Sequence, residues 1–207
     1  MGTDIADWAV HVLERGLPPL PPELERGETV PAAVWRGDRV GGVLFVRLWK
    51  NGQPDSEVAI ARRSADGSWQ VPSWGGGPWV DDPMARPADG WDGAPVVWLH
   101  HSGQLTQGDE DGVRAQAGAA AEGIAAIRVE QAGRTWSVPV DSPCGAFIVV
   151  MDSLQPARLC AVDERGEVVP PCVELEDISD LTRDEWWPEL PAGGKPAIRY
   201  DFLPSRP

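Results

Sequence analysis

The chain has 207 residues, and its 32 acidic and 18 basic side chains give a formal net charge of −14. This charge disfavours unselective binding to nucleic acid or to an anionic membrane, because both carry negative charge themselves. A basic or neutral protein partner, or a small ligand, remains possible. The 23 glycines and 21 prolines favour short strands and turns over long helices.

The three cysteines bear on the redox compartment. Their number is odd, so at least one of Cys144, Cys160 and Cys172 cannot pair within the chain. Cys160 lies in an apolar run typical of a strand. The pattern favours buried free thiols in a reducing cytosol, with one disulfide and one free thiol as the alternative. No basic segment precedes an apolar stretch at the N-terminus, and no apolar run reaches membrane-spanning length. We therefore predict a cytoplasmic protein.

A single helix is predicted at the start of the chain, over residues 4–15. Its apolar residues recur at helical spacing and form one continuous face: Ile5, Trp8, Ala9, Val12 and Leu13. We expect one domain over residues 1–207. It comprises a docked helix (1–16), a Pro-rich connector (17–39) and a β-sandwich core (40–207).

The core is predicted to begin with a strand from Val40 to Trp49, which is apolar on both faces and therefore covered on both. Asn51-Gly52 predicts a hairpin turn to the next strand. Residues 115–121 are rich in alanine but interrupted by glycine, so they are interpreted as a loop or a sheet edge. Further strands are predicted at 124–130, 135–140, 146–151, 157–163 and 167–170.

Three segments repeat one pattern: a strand, a polar turn around a glycine, and a returning strand that ends in Val-Pro. Their turn glycines are Gly67, Gly133 and Gly166. Glycine supplies the positive φ that tight hairpin turns need. The spacing drifts too much for a solenoid, and successive hairpins of an antiparallel sandwich explain it. The predicted fold is a mainly β, antiparallel, Ig-like sandwich, with a short helix over 180–187 and a last strand over 198–202.

A resemblance supports this fold. Residues 122–130, 133–134, 138–140, 145–147 and 161–166 resemble uncharacterised β-rich proteins of actinobacteria, in a pattern similar to a small Ig-like module. The similar positions are turn and core residues, so the resemblance implies a fold and carries no catalytic residue. The 16 arginines against 2 lysines also suit a high-GC bacterial source.

The 11 tryptophans are the most unusual feature of the composition. Trp49, Trp69, Trp98 and Trp136 occupy strand positions and are predicted to lie in the core. Trp74, Trp79 and Trp91 instead fall in a long segment, 73–94, that lacks a strand or helix pattern. Together with Asp81 and Asp82 they are candidate ligand-binding residues. Aromatic rings beside carboxylates could stack on a sugar and hydrogen-bond its hydroxyls. The sequence favours the alternative that these tryptophans plug an open end of the sandwich, because loops commonly carry their own packed side chains.

Metal and catalytic motifs are weak. His100 and His101 are neighbours on a predicted strand and should point to opposite faces, so no metal ligand set is predicted. A calcium loop around Asp109–Asp111 lacks both anchoring ligands, which excludes an EF-hand. A hydrolase built from Cys144, a histidine and an aspartate of 81–92 requires the fold to bring them together. No catalytic residue and no cofactor are predicted.

A second candidate surface lies near the C-terminus. Residues 174–189 hold seven acids and one base, and Asp184, Glu185, Trp186 and Trp187 could form an acidic rim around aromatic anchors for a basic partner. The sequence favours a non-enzymatic protein-interaction module. A glycan- or small-ligand-binding module and a Cys/His hydrolase are the alternatives. The sequence predicts no oligomeric state.

Overall fold

The chain folds into antiparallel β-strands with one helix at its start. The computed structural model describes residues 4–104 and 112–176. In chain order the elements are α1 (Ile5–Arg15), β1 (Thr29–Arg36), β2 (Val40–Leu48), β3 (Pro54–Arg63), β4 (Trp69–Pro78), β5 (Val96–Gln104), β6 (Val113–Ala120), β7 (Ile124–Gln131), β8 (Arg134–Pro139), β9 (Ala146–Met151), β10 (Ala157–Asp163) and β11 (Val168–Leu175).

The predicted N-terminal helix is confirmed, and its ends follow from its flanking residues. The Asp4 side chain accepts a hydrogen bond from the Ala6 amide, which satisfies one of the free N–H groups of the first turn. At the other end, Gly16 has a φ of 98° and its amide donates to the Val12 carbonyl. The predicted apolar face is the one that α1 buries.

The strands form three sheets. Sheet 1 has the order β1-β2-β3-β4, sheet 2 the order β5-β6-β9, and sheet 3 the order β11-β10-β7-β8. Every described pair of neighbouring strands within these sheets is antiparallel. The prediction of a mainly β, antiparallel fold with one N-terminal helix is therefore confirmed, while the strands divide among three sheets where two were expected.

Sheet 2 lies between the other two sheets. Alternate residues of β9 belong to two different clusters of buried side chains: Ile148 and Val150 pack with residues of sheet 1, and Phe147 and Val149 pack with residues of sheet 3. A strand with an apolar run and no polar face is typical of a sheet covered on both sides. The outer side of sheet 1 is covered in part by α1.

The alanine-rich segment is a central strand, and its prediction as a loop or edge was wrong. β6 pairs with β5 on one side and β9 on the other, and all eight of its residues are buried. Gly118 is required there, because a Cβ would lie 2.1 Å from the Val97 carbonyl oxygen and 2.9 Å from the Phe147 ring. The small residues that weaken a helix are the ones that let sheets pack closely.

The three predicted glycine hairpins are confirmed. Gly67 lies between β3 and β4, Gly133 between β7 and β8, and Gly166 between β10 and β11, all with positive φ. In the third turn the Asp163 carboxylate accepts hydrogen bonds from the amides of Arg165 and Glu167. These turns depend on a few adjacent residues, and local sequence is sufficient to predict them.

Two boundaries differ from the prediction. The connector over 17–39 contains β1, whose Pro31 adjoins a register shift that lets the strand pass a residue without an amide hydrogen. The segment 73–94 begins as strand, since β4 continues to Pro78. The helix predicted over 180–187 and the strand predicted over 198–202 lie outside the described residues. Over the described ranges, α1 is the one helix, and it is too short to cross a bilayer.

The cysteines correct the expectation of three free thiols. Cys160 of β10 and Cys172 of β11 form a disulfide with a Cα–Cα distance of 4.4 Å, and Cys144 is free and buried. The pairing follows from the sheet, because β10 and β11 are hydrogen-bonded neighbours. Disulfides persist mainly in oxidising compartments, so this pair weighs against the predicted cytoplasmic location.

We expect reduction of the disulfide to lower the free energy of unfolding by about 2–3 kcal/mol, because the bond closes a short loop in the unfolded chain. Urea denaturation with and without a phosphine reductant measures the change. A Cys160→Ser, Cys172→Ser double variant should match the reduced protein and should not respond to the reductant. An unchanged unfolding midpoint on reduction of the native chain would contradict the bond.

Candidate functional site

The outer face of sheet 1 is only partly covered by α1. The helix packs on apolar side chains of that face, with the Trp8 ring 5.3 Å from the ring of Phe45. Helix residue Val12 is linked to β1, because Arg36 Nη2 donates to its carbonyl oxygen at 2.7 Å. The apolar residues under the helix are Val43, Phe45, Ala59, Ala61 and Trp69. Beyond Phe45 the same face continues with polar residues.

Strand register identifies the residues that share this outer face. Directly paired residues of antiparallel strands share a face. Arg47 pairs with both Thr29 and Asp55, Phe45 pairs with Glu57, and Ala59 pairs with Trp74. We call this uncovered region the open face: Thr29, Arg47, Trp49, Asp55, Glu57 and Trp74.

Arg47 is the polar centre of the open face. Its Nε donates to Thr29 Oγ1 at 2.9 Å, and its Nη2 lies 2.8 Å from Glu57 Oε2 in an ion pair. The two partners come from the strands on either side of β2, so the guanidinium links three strands. Both side chains of the ion pair are mostly buried (21% and 15% exposed), and their geometry is therefore fixed better than that of an exposed surface pair.

Trp49 is an exposed ring that is held in place. Trp49 is 42% exposed. The Arg47 guanidinium nevertheless lies over one side of the Trp49 ring, 4.4 Å from the ring centroid. Its Nε1 donates to Asp55 Oδ2 at 3.0 Å. The expectation that Trp49 lies in the core was wrong, because β2 ends at Leu48 and Trp49 begins the connection to β3, where it is exposed.

A groove of about 680 Å³ runs between the first turn of α1 and the β2–β3 hairpin. This volume lies within the range of about 300–1,000 Å³ that small-ligand pockets occupy. Aromatic side chains line it on the helix side and on the hairpin side, and polar groups lie between them. The lining used below comprises Trp8, Thr29, Arg47, Trp49, Lys50 and Asn51.

On the other face of sheet 1, a polar contact joins it to sheet 2. Ser56 Oγ lies 2.5 Å from His100 Nε2 and 3.2 Å from the Gly77 carbonyl oxygen, and Ser56 is 1% exposed. A serine beside a histidine is the pairing used for nucleophilic catalysis, but a substrate must reach the hydroxyl. The burial of Ser56 makes this contact a link between sheets. Sequence patterns gave no signal for it, since Ser56 and His100 are 44 residues apart.

Two of the three glycines before Pro78 lie close to the residues of this link. A Cβ on Gly76 would lie 2.6 Å from the Ser56 carbonyl oxygen, and a Cβ on Gly77 would lie 3.1 Å from His100 Cε1. A Cβ on Gly75 would meet nothing within 4 Å. Close packing thus excludes a side chain at Gly76, leaves little room for one at Gly77 and tolerates one at Gly75.

The two histidines face different layers, as predicted. His100 reaches sheet 1 through Ser56. His101 pairs with Gln116 of β6, which pairs with Val149 of β9, a residue that packs toward sheet 3. Burial, and secondarily the positive charge of Arg114, lower the pKa of His101 to about 4. His101 is therefore neutral at pH 7.

The structure separates the three candidate loop tryptophans. Trp74 is 45% exposed and lies on the open face. Trp79 is 6% exposed and packs between sheets 1 and 2, and Trp91 is half-buried against the same cluster. The buried Trp79 ring is therefore not available to a ligand on the surface. The three rings therefore share no common surface.

The other predicted site residues are distributed along the chain. Asp81 and Asp82 are exposed, and Asp82 accepts a hydrogen bond from the Met84 amide in a turn. Asp184, Glu185, Trp186 and Trp187 lie outside the described residues. Within the described ranges, no three His, Cys, Asp or Glu side chains lie together in an arrangement that could hold a metal ion.

Cys144 is not brought to the histidines. Its Sγ lies 3.2 Å from Ser142 Oγ, and the residue is 1% exposed in the core between sheets 1 and 2. Two residues later, Ala146 pairs with Ala119, whereas His100 pairs with Ala117. Extending this register separates the backbones of Cys144 and His100 by about 13 Å along the strands.

No family model matches the chain, and neither a curated protein nor a solved structure is significantly similar to it.

We expect Gly76→Ala to lower the free energy of unfolding by about 1–3 kcal/mol, because the new Cβ collides with backbone. Gly75→Ala is the matched control one residue away. It should be neutral or stabilise the chain by up to about 1 kcal/mol, since alanine restricts the unfolded state. Urea denaturation measures both variants, and equal effects at the two positions would contradict the packing described for β4.

His101 should make stability fall as the pH drops. Its pKa is about 4 in the folded chain and 6.5 in the unfolded chain, so between these values the unfolded chain binds the extra proton. The contribution of neutral His101 to the free energy of unfolding is fully present above pH 6.5 and is lost by pH 4. Its upper limit is about 3 kcal/mol. Chemical denaturation at pH 7 and pH 4 should show a smaller loss for His101→Gln than for the native chain. Equal losses would place His101 in contact with water.

Proposed function

We propose that this chain is a non-catalytic binding module whose ligand occupies the groove between α1 and the β2–β3 hairpin. The observation that carries the proposal is the restrained exposure of Trp49. A large aromatic ring in contact with water loses the benefit of burial, and here two further side chains, Arg47 and Asp55, hold it in one orientation. Rigid exposed aromatic residues contribute strongly to binding because little side-chain entropy is lost when a ligand docks.

The opposite outer face of the molecule provides the comparison. On the outer face of sheet 3, Arg158 lies 2.9 Å from Glu174 and 3.7 Å from Glu130, and all three side chains are well exposed. Such pairs are ordinary solvated surface. The tryptophan of sheet 3, Trp136, packs inward against the core between sheets 2 and 3. Of the two outer faces, that of sheet 1 carries the exposed rings.

The groove also combines the chemical groups that ligand sites use. Apolar contact comes from Trp8 and Trp49, and directional hydrogen bonding comes from Thr29, Arg47 and Asn51. Arg47 is held by partners on β1 and β3 before any ligand arrives. Groups that are positioned in advance bind with a smaller loss of entropy than groups that must be ordered.

The protein-interaction hypothesis rests on other residues. It uses Asp184, Glu185, Trp186 and Trp187, outside the described ranges, and it remains a prediction from sequence. The Ig-like resemblance over about residues 120–170 falls on β7 to β10, away from the groove. It remains an expectation about fold.

We expect a ligand to perturb Trp49 and Trp8 selectively. Fluorine NMR of fluorotryptophan-labelled protein, assigned with single Trp→Phe variants, can be screened against pools of oligosaccharides, short peptides, nucleotides and fatty acids. At least one pool should shift the Trp49 resonance and leave that of Trp69, which is buried under α1, in place.

Trp49→Ala should abolish that binding and change the free energy of unfolding by less than about 1 kcal/mol, since the ring is exposed. Trp136→Phe is the matched control, because Arg134 also lies over the Trp136 ring, at 5.7 Å, on a different sheet. Shifts confined to Trp186 and Trp187 would support the protein-interaction hypothesis. The absence of any shift at Trp8 and Trp49 would contradict the proposed site.

A further inference from the structure

Two exposed tryptophans share the open face. Trp49 and Trp74 are 42% and 45% exposed, and with Leu17 and Val168 they are the large apolar residues most exposed in the described part of the chain. Asp55 holds Trp49, and Trp74 pairs with Ala59, four residues further along β3. Sheet spacings place the Cα atoms of Asp55 and Trp74 about 14 Å apart. A ligand that touches both rings must be extended.

The surface between the rings is flat and polar. Glu57 pairs with Gly76 there, and glycine adds no side chain to the face. Glu57 in turn is joined to Arg47 at 2.8 Å. The floor is thus a carboxylate and a guanidinium beside bare backbone, with an aromatic ring at each end.

The charges of the open face and the groove beside it are equal in number. The basic side chains are Arg47 and Lys50, the acidic ones are Asp55 and Glu57, and Arg47 is ion-paired with Glu57. The ligand therefore need not supply a charge to balance this face. The net charge of −14 further disfavours an anionic ligand. A neutral ligand fits best.

Neutral sugars have the complementary chemistry. The C–H face of a pyranose ring is apolar and flat and stacks on an indole, while its ring-edge hydroxyls donate to carboxylates and accept from guanidinium groups. Asp55, Glu57 and Arg47 supply the carboxylate and guanidinium groups for such contacts on the same face. A chain of such sugars alternates apolar faces and hydroxyls along its length, which matches two rings separated by a polar floor.

A peptide fits this face less well. Strand addition, one common way in which peptides bind, uses the edge of a sheet, whereas the open face consists of side chains projecting from sheet 1. The Arg47 guanidinium, which lines the groove, is already ion-paired with Glu57, so the groove offers no purely apolar pocket for a peptide anchor.

We propose that the open face binds a neutral oligosaccharide, with one sugar stacked on Trp49 in the groove and a more distant sugar on Trp74. This inference rests on the proposed binding function and specifies its ligand class. Asp55 and Glu57 are the acceptors for sugar hydroxyls, and Arg47 is the donor.

The test uses the full chain with cellotetraose, laminaritetraose, maltotetraose and chitotetraose, and with the corresponding disaccharides, measured by calorimetry and fluorine NMR. At least one tetrasaccharide should bind and shift both the Trp49 and Trp74 resonances. Trp49→Ala should weaken its binding by about tenfold or more. Trp74→Ala should weaken the tetrasaccharide and leave the disaccharide unchanged, and Trp136→Phe should affect neither.

The outcomes separate the two proposals. If peptides or nucleotides shift Trp49 while none of the saccharides binds, the ligand class is wrong and the binding site stands. If a saccharide binds without shifting Trp49 or Trp74, the open face is not its site and this inference fails. If no compound of any class shifts Trp49, both proposals fail.

Discussion

The close approach of sheet 1 to sheet 2 determines where anything can bind. At Gly42 of β2, a Cβ would lie 2.6 Å from Val150 and 2.8 Å from Ile148, both side chains of β9 that reach across the interface. Such contact leaves no space for a ligand between these layers. The alternating clusters on either side of β9 show that sheet 2 is used on both faces. Among the described residues, we therefore look for binding chemistry on the outer faces of sheets 1 and 3, at the ends of the layers and in the turns.

The parts of the fold that sequence predicted are those that neighbouring residues decide. The helix follows from its apolar spacing and from Asp4, and the hairpin at Gly133 from a single turn. The alanine-rich β6 was misjudged because its glycines are unfavourable in a helix, and nothing local reveals that two sheets will cover it. Sequence alone favours free thiols over the disulfide for a similar reason. Cys160 and Cys172 become neighbours only once β10 and β11 pair.

The candidate site depends still more on long-range packing. Trp49 continues an apolar strand, and its pattern indicates a core residue. It is exposed because α1 ends its coverage of sheet 1 near Phe45, a fact decided by how the helix docks. Trp79 is the converse case: it lies in a stretch without an apolar pattern, yet it packs into the core between sheets 1 and 2. Of the predicted ligand residues, Trp74 alone is both exposed and on the open face. The residues of β2 and β3 that share the open face with Trp74 form no motif that could be recognised in sequence.

The buried link between the sheets has a consequence for the open face. Ser56 lies between Asp55 and Glu57 on β3, and because side chains alternate along a strand it points inward while they point outward. Its contact with His100 fixes β3 against sheet 2 at the position that carries both carboxylates. The same contact leaves little room for a side chain at Gly77, and the adjoining Gly76 adds no side chain to the outer face. The inner hydrogen bond thus holds in place the groups that orient Arg47 and Trp49, which is the kind of support that a preorganised site needs.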